Sequence, residues 1–233
     1  MLKKFSAPVI LLSIILILTG CPAIQEDPNT NQGNNNPSDK AIQTIEWVTN
    51  SEDQYCQFYT NDKIYSGLNG STVYHLTNQE AVMTTVVTEA IKNSGKSKYS
   101  YGIIFCGKEN IGETSPDKKY DFYTVTIYTD KSFRIAKRVL GEWKIIQAKT
   151  SNAFLYEVTE GVNIVKVINN GAGNFTLSFN GHEAAGEPIP FTDNTLTPLL
   201  TGGYYGYIAE IGKDESFPNT PVDVKFKQTS PAL

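Results

Sequence analysis

The chain has 233 residues, a formal net charge of −4, two histidines, three cysteines and thirteen tyrosines. An acidic balance of this kind offers no basic surplus for nucleic acid or an anionic lipid surface, which excludes both as expected partners. Two histidines with no clustered partner residues also argue against a zinc centre.

Residues 1–20 read as a targeting segment. Lys3 and Lys4 give a positive start, and Val9 to Leu18 is apolar apart from Ser13, a run too short to span a bilayer as a mature helix. It ends in Leu18-Thr19-Gly20-Cys21, which resembles the lipobox of bacterial lipoproteins. The resemblance implies cleavage before Cys21, lipid attachment there, and a lipid bilayer as partner. Pro22 follows the cysteine instead of the aspartate associated with inner-membrane retention, so the expected location is the bacterial cell envelope, at the outer membrane or cell surface. Residues 21–40 are rich in Asn and Pro and poor in apolar side chains, so they read as a disordered tether. Without Lys3 and Lys4 the net charge becomes −6.

Residues 41–233 suffice for one core, and the pattern is all-β. Ile42 to Val48, Tyr55 to Tyr59, Ile64-Tyr65 and Val73 to Leu76 are short strands between turns. Ala81 to Ile91 has spacing that tolerates a helix, but Thr84, Thr85, Val86, Val87 and Thr88 are β-branched and favour a strand, which is the expectation here. Lys92 to Lys98 reads as a polar loop, Tyr99 to Cys106 as a buried strand, and Lys108 to Lys119 as a hydrophilic loop.

The section from Tyr120 to Glu187 frames the sandwich. Tyr123 to Tyr128, Phe133 to Val139 and Trp143 to Ala148 alternate across the turns at Asp130 and Gly141. Val162 to Ile168 and Phe175 to Phe179 form a hairpin, and Asn180-Gly181 signals a second one, because the pair accepts the positive φ angles of a tight turn. Glu187 to Asn194 reads as a non-regular connection. Gly202 to Ala209 enters another strand, and Val222, Val224 and Phe226 alternate inward along the closing one.

The ordered series Tyr101 to Phe105, Tyr123 to Ile127, Phe133 to Lys137, Gly141-Glu142-Trp143, Val162 to Val167, Phe175 to Gly181, Gly203 to Tyr207 and Val224 to Phe226 resembles the bacterial concanavalin A-like, laminin G-like jelly-roll domains. The resemblance implies a single-domain, two-sheet antiparallel β-sandwich. It says little about activity, since that family holds lectin-like binding modules, glycoside hydrolases and uncharacterised lipoproteins alike. Cys106 stands where a long polar residue is common, a departure that points to a disulfide. With Cys21 lipidated, Cys56 and Cys106 are the available pair in an exported protein; two separate buried thiols are the alternative.

No clustered same-strand carboxylates of a sandwich glycosidase are present: Glu157, Glu160, Glu183 and Glu187 read as solvated turn charges. His75 and His182 have no accompanying nucleophile elbow. Calcium is a possible cofactor through Asp130, Asp193 and Asn194, though ordinary turn formation accounts for them; no other cofactor is expected. If Val125, Ile127, Phe133 and Ile135 face inward, then Thr124, Thr126, Tyr128, Arg134, Ala136 and Arg138 share the outer face. Tyr128, Arg134, Arg138, Tyr204 and Tyr205 are therefore the ligand-binding candidates, with Trp143 read as packing. The expected function is a membrane-anchored, non-catalytic binding module for carbohydrate or for an envelope or host protein. A glycan-processing enzyme on the same fold and a purely structural lipoprotein are the alternatives.

Overall fold

The computed structural model describes residues 41–43, 47–49, 55–60, 68, 70–77, 84–157, 161–182, 188–196, 203–215 and 219–230. Cys21, the targeting and tether segments, Ile64, Tyr65, Glu160, Glu183 and Glu187 lie outside them. Among the described residues fourteen strands follow one another: β1 (Ala41–Gln43), β2 (Trp47–Thr49), β3 (Cys56–Tyr59), β4 (Thr72–Leu76), β5 (Thr85–Ser94), β6 (Tyr101–Glu109), β7 (Tyr120–Tyr128), β8 (Ser132–Val139), β9 (Glu142–Ser151), β10 (Asn163–Gly171), β11 (Asn174–Phe179), β12 (Ile189–Thr192), β13 (Tyr204–Glu210) and β14 (Asp223–Ser230). The described residues contain no α-helix.

Two seven-stranded sheets result. Sheet A runs β1-β4-β13-β6-β7-β8-β9 and sheet B runs β12-β11-β10-β5-β14-β3-β2. Every pairing is antiparallel except that of β1 with β4. This is a jelly-roll sandwich of the concanavalin-like kind. Chain-adjacent hairpins build β6 to β9, whereas β13 returns to sit between β4 and β6.

The inner faces meet in one core. Tyr101, Ile103, Phe105, Val125, Ile127, Phe133 and Ile135 of sheet A pack with Val165, Val167, Phe175, Leu177, Val224 and Phe226 of sheet B. Val222, Val224 and Phe226 face the core as their alternation demands. Full burial of a large apolar side chain contributes about 1.5–3 kcal/mol, so this layer dominates stability.

Polar side chains close the two ends of the core. Lys137 Nζ donates to Asp193 Oδ2 (2.5 Å) and to Thr195 Oγ1, and the Tyr123 hydroxyl donates to Asp193 Oδ1 (2.9 Å). Burial alone raises the Asp193 pKa, but the hydrogen bonds from Lys137 and Thr195 outweigh it and leave the carboxyl below its ordinary range. Lys92 extends β5 inward and donates to the carbonyls of Lys96 and Tyr99, both at 2.8 Å. Burial brings its pKa down to about 8, against the pull of Glu215.

Several sequence expectations change. β5 begins at Thr85 and continues through Lys92 to Ser94, because two carbonyls satisfy the lysine that had suggested a loop. The connection after Glu187 contains strand β12, in which Pro190 is tolerated because β12 is an edge. Asn180 and Gly181 have φ of 53° and 80°, the turn conformation expected of them. They do not close a two-residue hairpin, however, since β11 next pairs with β12 from Ile189 onward. The Asn180 side chain instead receives the Ile164 N–H at 2.7 Å and donates to the Phe154 carbonyl at 2.5 Å.

Cys56 and Cys106 are both buried and are not joined to each other. Cys106 Sγ lies 3.8 Å from Asn169 Nδ2 of β10, while Cys56 sits on β3, three strands away in sheet B. Through Phe226 and Ala90, Cys56 is level with Asn163, six residues from Asn169. The thiols are thus separated by about 14 Å across the strands and about 20 Å along them, whereas a disulfide needs Cα atoms within about 7 Å. Burial pushes the Cys106 thiol up to about 12, which keeps it protonated and inert.

Candidate functional site

The outer face of sheet A is the part of the surface where chemistry collects. Alternation on β7 places Phe122, Thr124, Thr126 and Tyr128 there, and register carries the row outward. Phe122 pairs with Arg138, Thr124 with Ala136, Thr126 with Arg134 and Tyr128 with Ser132. On the other side Gly102 pairs with both Thr126 and Ile208, and β9 adds Trp143 opposite Arg138 and Ile145 opposite Ala136.

A cleft of about 160 Å³ crosses this face, lined by Thr72, Ile208, Glu210, Thr126, Arg134, Ala136, Trp143 and Ile145. Gly102 of β6, between Thr126 and Ile208, permits the close approach of β7, since a Cβ there would collide with the Val125 carbonyl oxygen. At its centre Arg134 Nη2 donates to Glu210 Oε1 at 2.7 Å, and the Ser100 N–H donates to Glu210 Oε2 at 3.0 Å. Arg134 Nε is buried without a hydrogen-bond partner, so the floor keeps polar capacity for a bound molecule.

Beside the cleft lies a second apolar cluster of Tyr74, Leu76, Ile104, Phe122 and Ile208, with Tyr120, Trp143 and Tyr204 packed against it. Trp143 meets Phe122 edge-on at 5.9 Å and Tyr204 meets Tyr120 edge-on at 5.6 Å. Trp143 therefore both packs and lines the cleft.

The candidates separate as follows. Tyr128, Arg134, Arg138 and Tyr204 share the outer face, with Arg134 in the cleft. Tyr128 is 6% exposed with Lys149 Nζ 4.2 Å above its ring, which leaves little of it for a ligand; burial, reinforced by Glu210, raises its phenol pKa. Arg138 is completely buried. Tyr205 is displaced from the site: it belongs to the inner core, because neighbouring residues of β13 point to opposite faces and Tyr204 takes the outer one. Glu210, Thr72 and Ile208 were missed. Continuing the alternation Tyr204, Gly206, Ile208 to the end of β13 is the signal that finds Glu210.

The remaining groups have structural work. Asp130 accepts from Lys149 at 2.6 Å and from Ser132, and Asp193 is committed to Lys137, so neither presents a vacant set of oxygens to calcium. His75 stacks on Tyr207, and burial lowers its pKa; His182 stacks on Phe154 at 3.9 Å. Among the described residues no three His, Cys, Asp or Glu side chains converge as a metal site would require. A larger cavity of about 340 Å³ lies at the end of the sandwich beside Lys92, Ser97, Thr129 and Glu157, but two carbonyls already occupy its lysine.

The fold and cleft define a jelly-roll sandwich with a polar and aromatic groove on one sheet. No protein-family model matches the chain, and no curated protein matches it in sequence. Among solved structures it is similar to a protein of unknown function with galectin-like fold from Bacillus subtilis, at 13% identity and TM-score 0.51 over 78% of this chain and 84% of that one. It is also similar to the kappa-carrageenase of Zobellia galactanivorans, at 9% identity and TM-score 0.50 over 88% and 89%. A carbohydrate-binding module from Bacillus subtilis aligns at 11% identity and TM-score 0.49 over 78% and 88%.

Proposed function

We propose that the chain is a lipid-anchored protein of the bacterial cell envelope, held through Cys21, whose jelly-roll head binds carbohydrate in the cleft on sheet A without transforming it. The observation that carries this reading is the composition of the cleft. Arg134, Glu210 and Thr126 offer donors and acceptors at fixed positions, and Trp143 supplies an aromatic edge beside them, the combination that recognises a hydroxyl-rich ring. A non-catalytic role is favoured because, among the described residues, Glu210 is the one carboxylate in the lining, and Arg134 holds it. A glycosidase needs two acids about 5–10 Å apart, one of them free to move a proton.

A glycan array probed with the full-length protein in detergent, with calcium or with chelator, tests the reading. Competable binding to one glycan class, weakened at least tenfold by Arg134→Ala and by Trp143→Ala, supports it; a blank array with folded protein overturns it. Loss of the protein from the membrane fraction in Cys21→Ala checks the anchor separately.

A further inference from the structure

We propose that the ligand of this face carries an oxyanion group, a carboxylate or a sulfate, and that Arg138 receives it. For the saccharide part of the ligand the inference rests on the reading above; the anion site itself does not. Strand β8 holds three cations in five residues, and two hydrogen-bond a carboxylate directly: Arg134 that of Glu210, and Lys137 that of Asp193, with Thr195 beside it. Arg138 is different. It is 0% exposed, yet Nε, Nη1 and Nη2 all lack a hydrogen bond. The Tyr74 hydroxyl acts on it through charge and a side-chain contact outside ordinary hydrogen-bond geometry, and the nearest carboxylate, Asp117 Oδ1, stands 3.9 Å from Nη2, near enough for an ion pair but too far for a hydrogen bond.

A buried charge left without hydrogen bonds costs several kcal/mol, so its retention calls for a partner. The surroundings say of what kind. The guanidinium lies between the rings of Tyr74 and Trp143, 5.9 Å from each centroid, and Phe122 is its cross-strand neighbour. Aromatic walls keep water away and strengthen any direct ion pair formed between them. A guanidinium offers a planar fork of N–H donors that fits the paired oxygens of carboxylate or sulfate. Trp143 is both a wall of this site and part of the cleft lining, so a ring lying in the cleft brings a substituent to Arg138. The way in is past Asp117, a loop residue 45% exposed, whose carboxylate stands where the incoming anion goes.

Calorimetric titration of the full-length protein with sodium sulfate, at constant ionic strength against chloride, tests the site. Saturable binding is expected, tightened about fivefold in Asp117→Asn by removal of one like charge at about 4 Å, and lost in Arg138→Met. Asp117→Asn changes only a half-exposed loop residue, so the test survives even if Arg138→Met fails to fold. No sulfate binding to folded Asp117→Asn overturns the inference. A second arm titrates neutral, uronate-bearing and sulfated oligosaccharides of matched length. A preference of tenfold or more for one anionic set, erased in Arg138→Met, supports the proposal and identifies the anion. Binding of neutral and anionic sets alike overturns it while leaving the carbohydrate reading intact. Sulfate binding with no oligosaccharide binding supports the anion site and removes the carbohydrate reading.

Discussion

The two outer faces of the sandwich differ in a way the strand patterns make plain. On sheet B, exposure alternates along β5 and β10, as in an antiparallel sheet with one wet face. On sheet A, β7 is buried at every position after Tyr120, on both faces. The outer face of sheet B carries Glu89, Lys166, Lys225 and Lys227; that of sheet A carries Phe122, Ile104, Ile208 and a sequestered arginine. One sheet uses its outer face for solubility and the other holds side chains there in fixed places, which is the preorganisation a binding site needs.

The largest test of that contrast is truncation on each face. Phe122→Ala, at a fully buried position, is expected to cost about 4 kcal/mol by urea denaturation, whereas Ile164→Ala, on the outer face of sheet B and 38% exposed, costs below about 1 kcal/mol. Equal losses would erase the distinction. Next, the neighbouring cations of β8 should part company. Lys137→Met strands the Asp193 carboxylate and is expected to cost about 3 kcal/mol, while Arg138→Met is expected to be neutral or to stabilise by up to about 4 kcal/mol, since it removes a buried charge that holds no hydrogen bond of ordinary geometry.

A pH scan addresses the inner side. Lys92 has a folded pKa of about 8, below its unfolded value, so the unfolded chain binds the extra proton between the two. Stability therefore rises with pH from 8 to 10, by about 2 kcal/mol. Lys92→Met flattens that rise. Above pH 10 the trend reverses, because Tyr74 and Tyr101, both raised to about 12, keep their protons to higher pH in the folded state than in the unfolded one. The smallest effect concerns the β8–β9 turn, where Leu140 is 54% exposed at φ +48°. Leu140→Asn should gain about 0.5 kcal/mol by thermal denaturation, because Asn tolerates the left-handed region better.

Strands with a regular period were legible in the sequence. The β-branched run at Thr84 to Thr88 led to β5, and inward Val125, Ile127, Phe133 and Ile135 led directly to the outer row that contains Arg134. What stayed hidden depends on contacts between distant segments. Alternation put Arg138 on the outside but could not show that loop residue Asp117, Tyr74 of the distant strand β4 and Trp143 of the adjacent β9 surround it. The cysteines looked pairable because sequence gives neither sheet order nor register, and the two together, with Cys106 seated against Asn169, keep them apart. Alternation alone sets adjacent Tyr204 and Tyr205 on opposite faces, but only the packing shows that Tyr205 is the one in the inner core.

Strand β9 has a consequence of another sort. It forms the free margin of sheet A, ten residues long, and such a margin invites a second chain to add itself as the next strand. Its pairing with β8 is broken by two register irregularities, and Lys144 and Lys149 punctuate it. Interrupted geometry and repeated positive charge make a poor template for a further strand, so this edge resists the edge-to-edge pairing that builds fibrils.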